Sequence, residues 1–177
     1  MGRQDNKESL VRAAMEAVDR AAFVADEWKW AAGEDRPLPI GFGQTVSQPY
    51  TVARMLELLG QGEKVLEVGT GSGWQTAVLA RLFKQVYSIE KIPELAKRAR
   101  IKIYELGIKN VRIKIGDGKK GWDKYALYDG IIVAADAQEI PPKLLEQLAD
   151  GGRMVIPVRG EMLKIEKHGN FVFVPLV

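Results

Sequence analysis

Apolar positions along the chain fall into two regimes. Up to about residue 62 they recur at helical spacing: Leu10, Ala14, Ala17 and Val18 share one side of a short amphipathic helix over 10–18. A mixed stretch, 23–41, follows, in which Pro37 and Pro39 are expected to block regular structure. The run YTVARMLELL then sets Val52, Met55, Leu56 and Leu59 on one helical face, with Gly60 and Gly62 ending it. Ser47, just ahead of that run, is the expected N-cap of a helix starting near Gln48.

From residue 64 short apolar runs alternate with helical patterns. KVLEV, QVYSIE, VRIKI, YDGIIVAA and RMVIPV read as strands. Between them lie three helices: TAVLARLF; a run opened by Pro93 and closed by Gly107, with Leu95, Ala99, Ile103 and Leu106 facing inward; and PPKLLEQLA, stopped by Gly151 and Gly152. The tail MLKIEKHGNFVFVPL offers two strand-like runs about a His-Gly-Asn turn. Repeated β-α-β units with short loops predict an α/β fold, a doubly wound and mostly parallel sheet. An antiparallel C-terminal hairpin at one edge and an N-terminal helical extension complete it. The 177 residues suit a single domain, with 1–62 as the extension and 63–177 as the α/β core.

Composition narrows the chemistry. There is no cysteine, which excludes disulfides, thiolate metal sites and a cysteine nucleophile, and fits a reducing compartment. The polar start MGRQDNKESL lacks the apolar core of a secretion signal, and Asn6 breaks a myristoylation motif. No apolar run approaches the ~18 residues of a membrane span. A cytoplasmic protein without a membrane partner is expected. Net charge is only +3, from 26 basic and 23 acidic residues, too mild to imply a polyanionic partner. The excess of basic residues between Lys91 and Lys124 reads as a solvated surface, because few aromatic residues alternate with them as stacking platforms. Nucleic acid is therefore an unlooked-for partner.

The stretch VLEVGTGSG ends the first strand of the alternating region. Gly69, Gly71 and Gly73 let the backbone turn sharply and a ligand approach it closely. The dinucleotide fingerprint G-x-G-x-x-G would need glycine at position 74, which is Trp74. Glu67 stands beside the loop, Glu90 ends the next strand about twenty residues on, and Asp117 follows the third. A strand-end carboxylate such as Glu90 can accept both ribose hydroxyls, and Asp117 can accept an adenine amino group. Acids rather than cations around a glycine turn suit a nucleoside that carries positive charge and no phosphate. S-adenosyl-L-methionine, with its sulfonium and ammonium groups, is such a ligand, and S-adenosyl-L-homocysteine is the product it leaves.

The acceptor is narrowed by what is missing. Methylation at pyrimidine C5 uses a cysteine nucleophile. Adenine N6 methylation uses an N/D-P-P-aromatic motif where this chain has AADAQEIPP. A catechol-type reaction needs a metal triad, and no metal site is expected here: the single histidine, His168, falls in the tail turn. An acceptor that brings its own nucleophile remains. A carboxylate, with a pKa near 4, is ionised at neutral pH and needs no general base. It needs positioning and hydrogen-bond donors, which QTVS can supply. Ser47 is a poor hydrolytic nucleophile, having neither a G-x-S-x-G elbow nor a histidine base. At a helix N-terminus it would lie beside free N–H groups that favour an anion.

LPIGFGQTVSQPYTVARMLELL, VLEVGTGSGWQTAVLA, VYSIEKIPELAKRAR, VRIKIGDGKKGW, YDGIIVAA, EIPPKLLEQLADGGRMVIPV and FVPLV together resemble the protein-L-isoaspartate (D-aspartate) O-methyltransferases, from about Phe23 to the C-terminus. The T-x-S-x-P element, the EDRPLPIG lead-in and the terminal FVPLV carry the most specific part of the likeness. The resemblance implies a Rossmann-like class I methyltransferase sheet and a protein repair activity. A methyl group passes from S-adenosylmethionine to the carboxylate of an L-isoaspartyl residue in a damaged protein or peptide, and the ester collapses to a succinimide that can reopen to aspartate.

Carried over by motif, Ser47 would be the active-site serine, with Thr45 beside it on the isoaspartyl group. Glu67, Gly69, Gly71, Glu90, Asp117 and Gly118 would hold the cofactor, and Val172 and Val174 would offer backbone groups to the substrate peptide. Tyr50, Trp74, Asp136 and Gln138 depart from the family's usual residues. Asp136, in the loop near the reacting methyl, would repel an anionic acceptor. The chain's end at Val177 would leave a shorter tail and a more open cleft, and a monomer is expected of a repair site that must admit many proteins. Two other readings share the motifs: a methyltransferase for RNA or a small molecule such as a tetrapyrrole, and a binding relative without activity.

Overall fold

Six strands make the main sheet, in the order β5 (Val111–Ile115), β4 (Phe83–Glu90), β3 (Gly62–Val68), β6 (Tyr128–Val133), β7 (Leu148–Val158) and β8 (Glu161–Glu166). The computed structural model describes residues 2–169, with side chains from residue 6. β3, β4, β5, β6 and β7 run parallel. β8 returns antiparallel to β7. The helices α3 (Trp74–Leu82), α4 (Pro93–Glu105) and α5 (Pro142–Glu146) follow β3, β4 and β6. The chain winds outward from β3 through β4 to β5, then returns to β6 on the other side of β3. The crevice beyond the carboxyl ends of β3 and β6 is where such a sheet binds ligands.

Strand residues alternate between two apolar clusters, as a sheet covered on both faces requires. Val65, Val86 and Ile132 join one cluster with Leu56, Leu59 and Leu79 from the helices, and Val11, Ala14 and Val18 from the N-terminal segment pack there too. Leu66, Tyr87 and Ile131 join the other, with Tyr128, Leu144 and Leu148.

Several boundaries differ from the sequence expectation. α1 spans Gly2–Glu16, starting well before residue 10. The stretch expected to lack regular structure contains β1 (Leu38–Gly41), paired with β2 (Gln44–Val46) in a separate antiparallel ribbon. Each strand of a two-stranded ribbon has a free edge, so the missing N–H of Pro39 costs no bond, while Leu38 and Ile40 are buried. The tight turn passes through Gly41, Phe42 and Gly43, all at positive φ.

Leu106 is 47% exposed, because it is the C-cap of α4 and its side chain leaves the inner face. α5 stops at Glu146, well before the glycines expected to end it, and Gln147 turns back into the loop after β5. β7 and β8 form an antiparallel hairpin about Arg159–Gly160, and the expected turn after His168 runs out of the described residues. The expected last strand, with Val172 and Val174, lies outside the described residues.

Candidate active site

A cavity of about 350 Å³ opens at the switch point, within the size range of small-ligand sites. Thr45, Ser47, Gly69, Gly71, Glu90, Asp117 and Gly118 all line it, so residues far apart in sequence converge as the motifs implied. Gly69, Gly71 and Gly73 have φ of +96°, +55° and +95°, a path that L side chains rarely follow. Gly118 is required for a different reason. A Cβ there would sit 2.2 Å from Val68 Cγ1, so only glycine lets the loop after β5 close against the end of β3.

Glu90 is 6% exposed at the end of β4. One carboxylate oxygen accepts the Gly71 N–H at 2.8 Å and the other the Ile92 N–H at 2.9 Å. The carboxylate is thereby aimed at the glycine loop, with lone pairs left for ligand hydroxyls. Asp117 caps the turn after β5 through the Lys119 N–H at 3.0 Å and remains exposed at the cavity wall. The Ser72 hydroxyl is buried in the glycine loop and has no protein partner among the described residues. An unpaired buried hydroxyl beside a carboxylate and a concave glycine turn fits a polar nucleoside ligand with a cationic side chain.

Glu67 is not part of the wall. It is fully buried beneath the loop, where its carboxyl accepts from Gln75 Nε2, Thr76 Oγ1 and Ser88 Oγ, at 2.6 Å for Ser88. Thr70 Oγ1 lies 2.5 Å from Ser88 Oγ and extends the network into the loop. Burial pushes the Glu67 carboxyl up to about 7, against the opposing pull of the three donors. Glu67 thus fixes the start of α3, the glycine loop and β4 to one another, and the sequence expectation that it holds the cofactor becomes support from behind the loop.

At the other end of the cavity, Ser47 lies between β2 and α2 (Pro49–Leu59) but does not cap the helix. Gln48 occupies the N-cap position without a side-chain cap bond. Asp35 serves instead, accepting the Tyr50 N–H and Gln48 Nε2, each at 2.8 Å. Ser47 is therefore free to face the cavity. Tyr50 is 67% exposed and does not line it, whereas Trp74 is buried in its wall with Nε1 3.3 Å from the Val18 carbonyl. Asp136 does reach the cavity, with Oδ1 accepting the Gly160 N–H at 2.9 Å. His168 is exposed, 3.8 Å from Glu166, and does not line the cavity.

Sequence reading did not single out Asp35, Ser72, Ser88 or Arg20. Arg20, 5% exposed, donates to four backbone carbonyls, one of them that of Ser47. Its one signal in the sequence was a lone cation inside the apolar run AVDRAAFV.

This parallel sheet with a glycine loop after its first strand, strand-end acids and a cavity at the switch point defines a class I, S-adenosylmethionine-dependent methyltransferase. Residues 3–174 match the family described as protein-L-isoaspartate(D-aspartate) O-methyltransferase (PCMT), and the chain belongs to that family. It is similar to the protein-L-isoaspartate O-methyltransferase of Halorhodospira halophila, 51% identical over 174 residues, covering 94% of this chain and 79% of the relative. Another, from Anaeromyxobacter dehalogenans, is 54% identical over 162 residues, covering 89% and 77%.

Among solved structures, a PCMT from Plasmodium falciparum in complex with S-adenosyl-L-homocysteine superposes with a TM-score of 0.78 at 26% identity, over 90% of this chain and 82% of the other. A precorrin 8W decarboxylase from Methanobacterium thermoautotrophicum, at 24% identity, TM-score 0.55 and 63% coverage of each chain, shares the fold alone. The cofactor is S-adenosylmethionine, and the activity is repair methylation of isoaspartyl residues in proteins.

Proposed function

We propose that the cavity is divided by role, with the cofactor along the carboxyl ends of β3, β4 and β5 and the isoaspartyl carboxylate at the Thr45–Ser47 end. The observation that carries this reading is the freedom of Ser47: Asp35 serves the helix, so the serine faces the cavity between β2 and the glycine loop. Glu90 would hold the ribose, Asp117 and the loop opened by Gly118 would receive the adenine, and Gly69, Gly71 and Ser72 would receive the amino-acid part. S-adenosylmethionine, when bound, supplies an electrophilic methyl on a cationic sulfur.

The chain's own share is positioning. The Thr45 and Ser47 hydroxyls donate to the acceptor carboxylate and hold one oxygen in line with the methyl–sulfur bond, and the apolar walls formed by Ile40, Val52 and Leu144 displace water. No base is required, because the acceptor is already ionised. Positioning of this kind is worth roughly 7–11 kcal/mol. Val172 and Val174 would pair with the peptide backbone beside the site, as their motif implies. Their part is tested by backbone-protected substrate peptides.

The reading includes a monomer working in the cytoplasm as a single 1–177 domain. One apolar cluster joins residues from Val11 to Val155, which supports the single domain. No helix among the described residues is long and apolar enough to cross a membrane. Nucleic acid stays outside the reading, and several of the basic residues of 91–124 are engaged locally. Arg100 donates to the Ile113 carbonyl, Lys114 to that of Gly121, and Arg112 and Lys124 lie over Tyr125.

The site assignment is tested by Ser47→Ala and Thr45→Ala. Each is expected to lower kcat for an isoaspartyl peptide while leaving S-adenosylhomocysteine affinity unchanged in calorimetry. Equal losses in both measurements would place these residues on the cofactor instead.

A further inference from the structure

The N-terminal segment holds a buried cation that neither the reaction nor the cofactor uses directly. Arg20 Nη1 donates to the carbonyls of Ala32 at 3.0 Å and Glu34 at 3.2 Å. Nη2 donates to those of Arg36 at 2.8 Å and Ser47 at 3.1 Å. All four acceptors are backbone, so the guanidinium fixes the path of the chain, whatever side chains it carries. The same guanidinium lies over the indole of Trp74, its carbon 5.3 Å from the ring centroid. Trp74 opens α3 directly after the glycine loop and forms part of the cavity wall. One planar group thus touches the backbone of Ser47, just past β2, and the first residue of the helix after the glycine loop.

We propose that Arg20 is a positioning residue for methyl transfer, setting the distance between the Thr45–Ser47 segment and the glycine loop. The inference rests on the reading that Ser47 holds the acceptor. A rigid fork suits such a role, because two nitrogens in a fixed plane determine two directions at once, which a lysine ammonium on a flexible stem cannot do. Burial makes the arrangement exacting at Ala32, whose carbonyl would be left without a donor away from water if it were released. A buried charge that makes no hydrogen bond to a carboxylate, and is held by carbonyl dipoles and an indole face, is a costly way to join two loops, as an apolar side chain of similar size would pack there without that cost. What the cation adds is a fixed geometry between two walls of the site.

The test uses the full chain with Arg20→Lys, which keeps the charge and loses the fork, and Arg20→Gln, which keeps planar N–H donors and loses the charge. Methyl transfer to an isoaspartyl peptide and calorimetric binding of S-adenosylhomocysteine are measured well below each variant's Tm. Displacing the acceptor by ~1 Å should lower kcat on the order of 100-fold in Arg20→Lys, with cofactor affinity held near the wild-type value. Arg20→Gln should lower kcat as well, because a single planar NH2 cannot serve both pairs of carbonyls. A folded Arg20→Lys with wild-type kcat overturns the proposal. So does a loss shared equally by kcat and cofactor affinity, and so does failure of both variants to fold, which would assign Arg20 to the fold alone. A wild-type protein that binds the cofactor yet methylates no isoaspartyl peptide would instead sink the reading of Ser47 beneath it.

Discussion

Asp35 caps a helix that begins fourteen residues later in the chain: its carboxylate accepts the N–H of Tyr50, in the first turn of α2, at 2.8 Å. That bond, followed by the one from Gln48, holds the Asp35 carboxyl below its ordinary range. A depressed pKa means that the contribution to stability is present above the unfolded-state value and is lost as pH falls through the folded one. Asp35→Ala should therefore lower Tm at neutral pH, and the gap to wild type should close in acid. Ser47→Ala should leave stability within ~0.5 kcal/mol of wild type, as expected where no cap is removed. Thermal melts of both variants at neutral and acid pH check the pair.

Glu67 should show the opposite pH dependence. Its carboxyl is pushed up to about 7 by burial, above the unfolded value of 4.5. The folded state then holds its proton more tightly, so burial costs nothing below the unfolded pKa. The cost grows as pH rises and reaches on the order of 3 kcal/mol above the folded pKa. Glu67→Gln removes the titration while retaining an acceptor for Thr76 and Ser88. Its Tm relative to wild type should rise between pH 5 and pH 8; a constant difference would show that Glu67 does not titrate in this range.

Gly118 is the residue where space alone decides the outcome. Gly118→Ala drives a methyl group into Val68 Cγ1, and a β-branched side chain, stiff at χ1, gives way only at a cost. Overpacking of this kind costs about 1–3 kcal/mol. Because Gly118 lines the cavity, the displaced loop should weaken S-adenosylhomocysteine binding by calorimetry as well as lower Tm.

Asp136 places a carboxylate in the wall of a site whose acceptor is also a carboxylate. The Gly160 N–H holds one of its oxygens, so Asp136→Asn can keep that bond and lose only the charge. The KM for isoaspartyl peptide should fall severalfold with kcat little changed, and the effect should shrink at high salt. An unchanged KM at low salt would place the Asp136 charge out of reach of the substrate.

The parallel sheet, its glycine turn and the strand-end acids Glu90 and Asp117 were legible in the sequence because each rests on local pattern. Strands and helices alternate at fixed periods, and a switch point gathers strand ends whatever the loops do. Asp35 and Arg20 were not legible, because their partners are backbone groups brought near by the fold: the Tyr50 N–H for one, four carbonyls for the other. A backbone partner leaves no mark in the identities of the residues that provide it. Glu67 was legible as an acid beside the loop, but its direction was not. The strand's alternation carries it behind the loop, toward Thr76 and Ser88. Pro39 misled for a related reason, since the cost of proline in a strand depends on whether a neighbour needs its N–H.

The central claim is that a carboxylate displaced into the isoaspartyl geometry is the acceptor held at Thr45 and Ser47. It is tested most directly by incubating the protein with labelled S-adenosylmethionine and two peptides of one sequence, one containing L-isoaspartate and the other L-aspartate. Label should enter the isoaspartyl peptide as a base-labile methyl ester and leave its normal twin unmarked; equal labelling of both peptides, or of neither, would contradict the account.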